Sequence, residues 1–261
     1  MRDSLHSVGG VRALLVETDP TDDARRLGDW LAAAGLEVDV VRPHRGDPLP
    51  DTLDGYAAFV VLGGEQHAYP GPDGQPDAPW LRRLESLLRK AVRHDVATLG
   101  VCLGAQLLAT AHGGAVGPAA AGPEIGARLV ARRDAADRDP IFAAVPMLPD
   151  VIQWHLDEVH ELPAGAVLLA ASTDYPHQAF RIGARAWGLQ FHIECDTAMV
   201  ADWVASNEPL LDELGYAPDA VVTRADAVMD DLAEVWQPFA QRFAALARGE
   251  GGRRELPLVG Q

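Results

Sequence analysis

Two stretches of this chain, Tyr56–Leu62 and Val96–Val101, carry no charge and are almost wholly apolar. A strand with one wet face alternates polar and apolar residues. A continuous apolar run is buried on both faces, as strands are in a parallel sheet held between two layers of helices. Segments of helical period stand between such runs. Asp23–Ala34 puts Leu27, Trp30 and Leu31 on one face and stops at Gly35. Asp77–His94 repeats apolar residues at Trp80, Leu81, Leu84, Leu87, Leu88 and Ala91. Val11–Val16 and Leu36–Val41 read as further strands, and Val96–Val101 passes straight into a helix over Gly104–His112. The alternation predicts an α/β fold: a mostly parallel sheet with helices on both faces.

From Glu124 to Glu194 the pattern shortens to Ala127–Ala131, Val151–Trp154, Ala166–Ala171, Gln178–Arg181 and Ala186–His192. These read as a short antiparallel extension that returns to the sheet. Thr197–Ser206 is helical, and Asp219–Arg248 reads as one longer helical stretch bent at Pro238. Its apolar stripe, Val221 to Leu246, either packs on its own domain or docks a partner. The organisation that follows is a main domain over residues 10–206, a helical extension over 207–248 and a disordered tail over 249–261.

Charge and cysteine usage narrow the function. The 261 residues hold 22 Lys and Arg against 38 Asp and Glu, a formal charge of −16. Lys90 is the one lysine, and no basic run exists to meet nucleic acid or an anionic membrane. Cys102 and Cys195 form no C-x-x-C pair, so a zinc ribbon or dithiol redox site is excluded. Val96–Ala111, the most apolar stretch, is too short and too interrupted to span a bilayer. Met1–Gly10 lacks the apolar segment of a secretory signal, so the expected setting is cytoplasmic and reducing.

Gly100-Val101-Cys102-Leu103-Gly104 sits where a buried strand runs into a helix. A nucleophile held in a sharp strand-to-helix turn needs neighbours two residues away that are nearly free of side chain. The helix start then directs N–H groups and the positive dipole end at the sulfur, favouring thiolate. The plainer reading of Cys102 is a core thiol beside Val and Leu. For Cys195, which no glycine flanks, that reading is preferred.

Gly188–Glu194 alternates at period two and reads as a strand end. His192 and Glu194, two apart, project from one face, the geometry in which a carboxylate fixes an imidazole that serves a nucleophile. Alone, H-x-E is more often a surface ion pair; about 90 residues after the Cys102 turn it reads as base and orienter. Gly63-Gly64 follow a buried strand, at the edge where parallel sheets bind ligands. Gly64 is a candidate oxyanion donor with the Leu103 amide, a plain tight turn being the alternative. Gln106, one turn after Cys102, is a candidate substrate contact or simply a packing residue. Gln153–Glu158 holds His155 and Asp157 with no evident third metal ligand, so a loop lining the substrate pocket is preferred to a metal site.

Leu62-Gly63-Gly64, Gly100–Gln106, Trp154-His155-x-Asp157, Gln178–Arg181 and Gly188–Glu194 together resemble the class I glutamine amidotransferases. The likeness spans roughly residues 10–206, and it is nearest to stand-alone proteins similar to the amidotransferase domain of GMP synthetase. The resemblance implies a flavodoxin-like sheet and a Cys102–His192–Glu194 triad. It also implies oxyanion amides from Gly64 and Leu103, with Gln106, His155 and Asp157 near bound glutamine. No metal or cofactor is implied. Ile193 and Glu65 stand where members of the family commonly carry proline.

The activity so implied is hydrolysis of the glutamine side-chain amide through a cysteine thioester, releasing ammonia to an acceptor. Either a separate synthase subunit supplies that acceptor or the protein works alone, because residues beyond Ser206 are too few for a synthase domain and no P-loop occurs. One alternative is a γ-glutamyl peptidase acting on other γ-glutamyl amides with the same triad. Another is a catalytically silent binding module, against which the intact triad counts. A homo-oligomer is compatible with the sequence.

Overall fold

A computed structural model of the protein describes residues 10–250. In chain order the elements are β1 (Val11–Val16), α1 (Arg25–Ala33), β2 (Leu36–Val41), β3 (Tyr56–Val61), α2 (Leu81–Arg93), β4 (Ala97–Val101) and α3 (Leu103–Ala111). Eight short strands follow: β5 (Ala115–Pro118), β6 (Glu124–Leu129), β7 (Ala131–Arg132), β8 (Asp150–His155), β9 (Asp157–Glu161), β10 (Val167–Ala171), β11 (Ala179–Ile182) and β12 (Ala186–Leu189). Four helices close the chain: α4 (Thr197–Ser206), α5 (Glu208–Glu213), α6 (Pro218–Ala227) and α7 (Met229–Ala247). The expectations for the leader at Met1–Gly10 and for the tail after Glu250 lie, save for Gly10, outside the described residues.

The main sheet has eight strands in the order β2-β1-β3-β4-β12-β11-β10-β7. Pairings from β2 to β12 are parallel and those from β12 to β7 antiparallel, so the expected α/β sheet with an antiparallel extension is present. Period-two alternation explains the continuous apolar runs. In β1, Ala13 and Leu15 face one core while Leu14 and Val16 face the other. In β3, Ala58 and Val60 part from Phe59 and Val61 in the same way. Helices α2 and α3 cover one face with Leu84, Leu88, Leu107 and Leu108; α1 and α7 cover the other with Leu27, Leu31, Trp236 and Phe243.

Several elements differ from the sequence reading. The helix expected from Asp77 begins at Leu81, because Pro79 disfavours helical backbone at Ala78. Strands β5 and β9, not anticipated, pair antiparallel beside the main sheet. The expected His155–Asp157 loop is therefore two strand ends, β8 and β9, hinged at the exposed Leu156. The strand expected to reach His192 ends at Leu189, and His192 instead bridges Ile152 of β8, its N–H donating to the Ile152 carbonyl at 2.8 Å.

The single helix expected over Asp219–Arg248 is two. It breaks at Val228, with φ −109° and ψ 1°, while α7 continues through Pro238. The break lets Val221 and Ala225 of α6 lie against β6 and α4 while α7 turns its own face to the main sheet. The apolar stripe of α7 is core: Leu232, Trp236, Phe239 and Phe243 are wholly buried. Trp236 meets Phe142, Phe191 and Phe239 edge-on or tilted, and its Nε1 donates to the Asp150 carbonyl at 2.9 Å. Among the described residues no helix is long and apolar enough to cross a membrane.

Because α7 forms one covering layer of the sheet, truncating its central aromatic leaves a large cavity and an unpaired carbonyl. Trp236→Ala is expected to cost about 3–5 kcal/mol. In urea this reads as a lower transition midpoint with an unchanged slope. A midpoint within error of the parent would show that α7 is dispensable to the core.

Candidate active site

Strand β4 delivers Cys102 to the sheet's C-terminal edge, where the backbone takes φ 49° and ψ −109° before α3 begins. A β-carbon-bearing residue in this region is strained by about 1–3 kcal/mol and persists only when its surroundings hold it. Two bonds do so: Cys102 N–H donates to the Leu189 carbonyl at 2.8 Å, and Gln106 N–H to the Cys102 carbonyl at 3.0 Å. Both flanking glycines are required sterically. A β-carbon on Gly100 would collide with the Gly104 carbonyl, and one on Gly104 with the Val61 carbonyl of β3. The sulfur lies 3.8 Å from the Trp154 carbonyl and 3.9 Å from Gln190 Nε2.

His192 and Glu194 lie just beyond β12 and are both buried. His192 Nδ1 donates to Glu194 Oε1 at 2.5 Å, and the other carboxylate oxygen accepts from Ile193 N–H at 2.9 Å. The carboxylate is thereby fixed at both oxygens, and the imidazole's remaining nitrogen, Nε2, is buried without a partner. Burial opposes charge on this ring. Glu194 and the Cys102 sulfur outweigh it and hold the His192 pKa well above the usual value. Trp203 lies edge-on to the imidazole, with ring centroids 4.8 Å apart. The second cysteine, Cys195, is wholly buried, and burial pushes its thiol well up, as a core thiol should be.

Gly63 and Gly64 follow β3 directly. A side chain on Gly64 would strike Thr18 Oγ1 at 2.5 Å and approach Leu103 Cδ2 at 3.3 Å, which sets Gly64 beside the start of α3. Leu103 is the first residue of α3, so its N–H has no partner within the helix. Thr18 holds the turn by donating to the Gly63 carbonyl. A cavity of about 300 Å³ opens here, reaching from Gln106, His155 and Asp157 past Cys102 to Trp203 and Leu210. Glu65 is exposed at its edge.

The three expected substrate contacts all line this cavity, each with at least one polar group already engaged within the protein. Gln106, 3% exposed, donates from Nε2 to the Asp157 carbonyl at 3.1 Å and to Gln190 Oε1 at 3.3 Å. His155 has Nδ1 at 2.9 Å from the Asp157 carbonyl and Nε2 at 3.1 Å from Glu124. The Asp157 carboxylate meets His67 Nδ1 at 2.6 Å and Tyr69 hydroxyl at 3.1 Å. They therefore build the wall and clamp the segment after Gly64. His155 and Asp157 turn their side chains to different partners rather than to a common point, which disposes of them as a ligand pair.

Sequence reasoning missed His67, Tyr69, Gln190, Trp203 and Asp22. The first four carry no local signal, since their partners are distant in the chain. Asp22 is 8% exposed, and its place shortly before α1 carries no local sign of a site. It lines the cavity on the His192 side: a β-carbon on Gly63 would meet Asp22 Oδ2 at 2.8 Å and His192 Cε1 at 2.9 Å. Burial pushes its carboxyl up to about 7; His192 opposes this, Glu194 and Asp19 add to it, and the Trp203 indole lowers it.

An acid with a folded pKa above its unfolded value binds more protons when folded, so stability falls as pH rises from 3.8 to about 7 and then levels. Asp22→Asn removes that loss. Its stability advantage should grow between pH 5 and pH 8 by roughly 2–3 kcal/mol, read from paired urea titrations. An advantage independent of pH would mean that Asp22 ionises normally.

A family model described as glutamine amidotransferase class-I matches residues 25–199. γ-Glutamyl peptidase 5 of Arabidopsis thaliana is 31% identical over 213 residues, covering 80% of this chain and 82% of that protein. The glutamine-hydrolysing GMP synthase of Thermomicrobium roseum is 37% identical over 162 residues, 61% of this chain but 27% of that longer protein. The crystal structure of a glutamine amidotransferase from Thermotoga maritima superposes with a TM-score of 0.79 at 27% identity, covering 90% of this chain and 98% of that one. The matched model takes in most of the parallel sheet, Cys102, His192 and Glu194, and the chain belongs to the class I glutamine amidotransferase family.

Proposed function

We propose that the protein hydrolyses γ-glutamyl amide bonds, with Cys102 as nucleophile, His192 as acid and base, and Glu194 as the group that orients His192. The observation that carries this reading is the strained Cys102 at the start of α3, with a buried His192–Glu194 pair whose free nitrogen has no other partner. A raised His192 pKa keeps the imidazole protonated beside the Cys102 sulfur, ready to give its proton to a departing amine.

The thiolate attacks the side-chain carbonyl carbon, forming a C–S bond and an oxyanion. The amides of Gly64 and Leu103 receive that oxyanion at the positive end of α3. Collapse breaks the C–N bond as His192 Nε2 gives its proton to the departing nitrogen, leaving a γ-glutamyl thioester. His192, now neutral, takes a proton from water, which attacks the thioester; glutamate leaves and the thiolate is restored.

The departing nitrogen is ammonia if glutamine is the substrate and a larger amine if it is another γ-glutamyl amide. A cavity of about 300 Å³ that Trp203 and Leu210 line together with Cys102 leaves room for a larger amine. The long two-way overlap with γ-glutamyl peptidase 5, against 27% of a GMP synthase, favours it as well. Delivery of ammonia to a separate synthase subunit is the second reading, supported by the likeness to GMP synthase.

Release of glutamate from glutamine and from a panel of γ-glutamyl amides, followed with purified protein, tests the proposal. Turnover should fall by about 10³-fold or more in Cys102→Ala, with the fold retained by circular dichroism. Equal activity in that variant would sink the assignment. Faster release from substituted amides supports the hydrolase reading; glutamine turnover only after a synthase is added supports the other.

Glu194→Gln keeps the shape of the pair but removes the charge that raises His192. It should lower kcat by roughly 10²–10⁴-fold, with the alkaline limb of its pH profile moved to lower pH. An unmoved limb would mean that Glu194 does not govern the imidazole.

A further inference from the structure

The side of the cavity that faces His192 is built unlike the rest. A departing amine takes its proton from His192 Nε2, so it leaves across this side. Three features meet there. Asp22 is more than nine-tenths buried and lines the cavity, and of its neighbours the Trp203 indole and His192 favour its charged form. Trp203 Nε1, beside it, donates to the Thr21 carbonyl at 3.1 Å. Trp203 and Trp154 form a tilted pair with centroids 5.5 Å apart, both on the cavity wall.

No lysine or arginine is among the residues lining the cavity, whereas Asp22, Glu65 and Asp157 are. Arg25, three residues after Asp22, is spent elsewhere, on Asp23 at 2.8 Å, Asp196 at 3.0 Å and Asp202 at 3.5 Å. A buried carboxylate in a cavity walled by two indoles suits an organic ammonium. The rings attract the cation through their quadrupoles, and the carboxylate supplies the opposite charge. An anionic leaving group would meet the same carboxylate with no lysine or arginine on the wall to offset it.

We propose that the preferred substrates are γ-glutamylated amines whose leaving group carries a second, cationic amino group, held by Asp22 beside the paired rings of Trp154 and Trp203. The inference rests on the γ-glutamyl hydrolase reading of the same site and names the class of amine released. Asp22, held near neutral by burial, would be drawn into its charged form by the incoming ammonium.

Three γ-glutamyl amides that differ only at the far end of a four-carbon amine test it: those of 1-aminobutane (neutral), 1,4-diaminobutane (cationic) and 4-aminobutanoate (anionic). The order of kcat/KM should be cationic, neutral, anionic, with about tenfold or more between the extremes at low salt, narrowing as salt is added. Asp22→Asn should compress the ratio of cationic to anionic substrate. Calorimetric binding of the same compounds to Cys102→Ala reads the order without turnover.

Equal rates for all three, or the anionic amide first, overturn the inference and leave the hydrolase reading standing. An equal loss on all three in Asp22→Asn also overturns it, because Asp22 would then serve the shared γ-glutamyl part. Cation-selective binding without any Cys102-dependent turnover has the reverse meaning: the cation subsite stands and the hydrolase reading fails. Absence of binding by all three sinks both.

Discussion

The contact between Gly104 and the Val61 carbonyl sets the distance at which α3 can approach β3, and the site is arranged around that approach. Any β-carbon at Gly104 would lift the helix away from the sheet, and any at Gly100 would push against Gly104. With both absent, Cys102 is forced into a left-handed backbone at the sheet edge, and the first amides of α3 point at the ligand space. The strain is tolerable because β12 lies alongside β4 and accepts the Cys102 N–H at Leu189. The strand that holds the cysteine is thus followed at once by the segment bearing His192 and Glu194. One parallel pairing brings together groups about 90 residues apart.

Around this frame runs a chain of buried polar contacts. Gln153 Nε2 donates to Gln178 Oε1 at 2.8 Å, and Gln178 Nε2 donates to Glu124 at 2.7 Å. Glu124 meets His155, and His155 and Gln106 both reach the Asp157 carbonyl. Each link lies in a dry interior where hydrogen bonds are strong, so the network is held rigid although Gln153 Oε1 is left without a partner. It joins β6, β8, β9 and the segment before β11 to α3, and it fixes the kink at Leu156 that turns Trp154 toward the cavity. Glu194 keeps the imidazole charged, and beside it stands Asp22, its carboxyl pushed up to about 7, in a cavity lined by no lysine or arginine.

The sequence alone determined the parallel sheet, because continuous apolar strands and helical stripes both follow from burial on two faces. It also marked Cys102, His192, Glu194 and Gly64, because local sterics leave a local trace: glycines two residues from a strained turn, two polar side chains on one face, glycines at a strand end. Where to break the C-terminal helix was not legible. The stripe from Val221 to Leu246 has helical period throughout, and only the positions of β6 and the main sheet require the turn at Val228. Strand β9 was hidden for a similar reason, since Asp157–Glu161 carries three charges and becomes a strand only by pairing with β5.

Tertiary structure decided what each polar residue faces. Gln106, His155 and Asp157 are near the cavity, as motif resemblance implied, but their side chains are committed to one another, to Glu124 and to His67. Asp22 shows the converse: in the chain it is one acid in an acidic turn, and in the fold it stands against His192 and two tryptophans. A residue's backbone needs are written within a few positions of it. Its electrostatic surroundings are set by groups tens to hundreds of residues away, and those meet only when the sheet has formed.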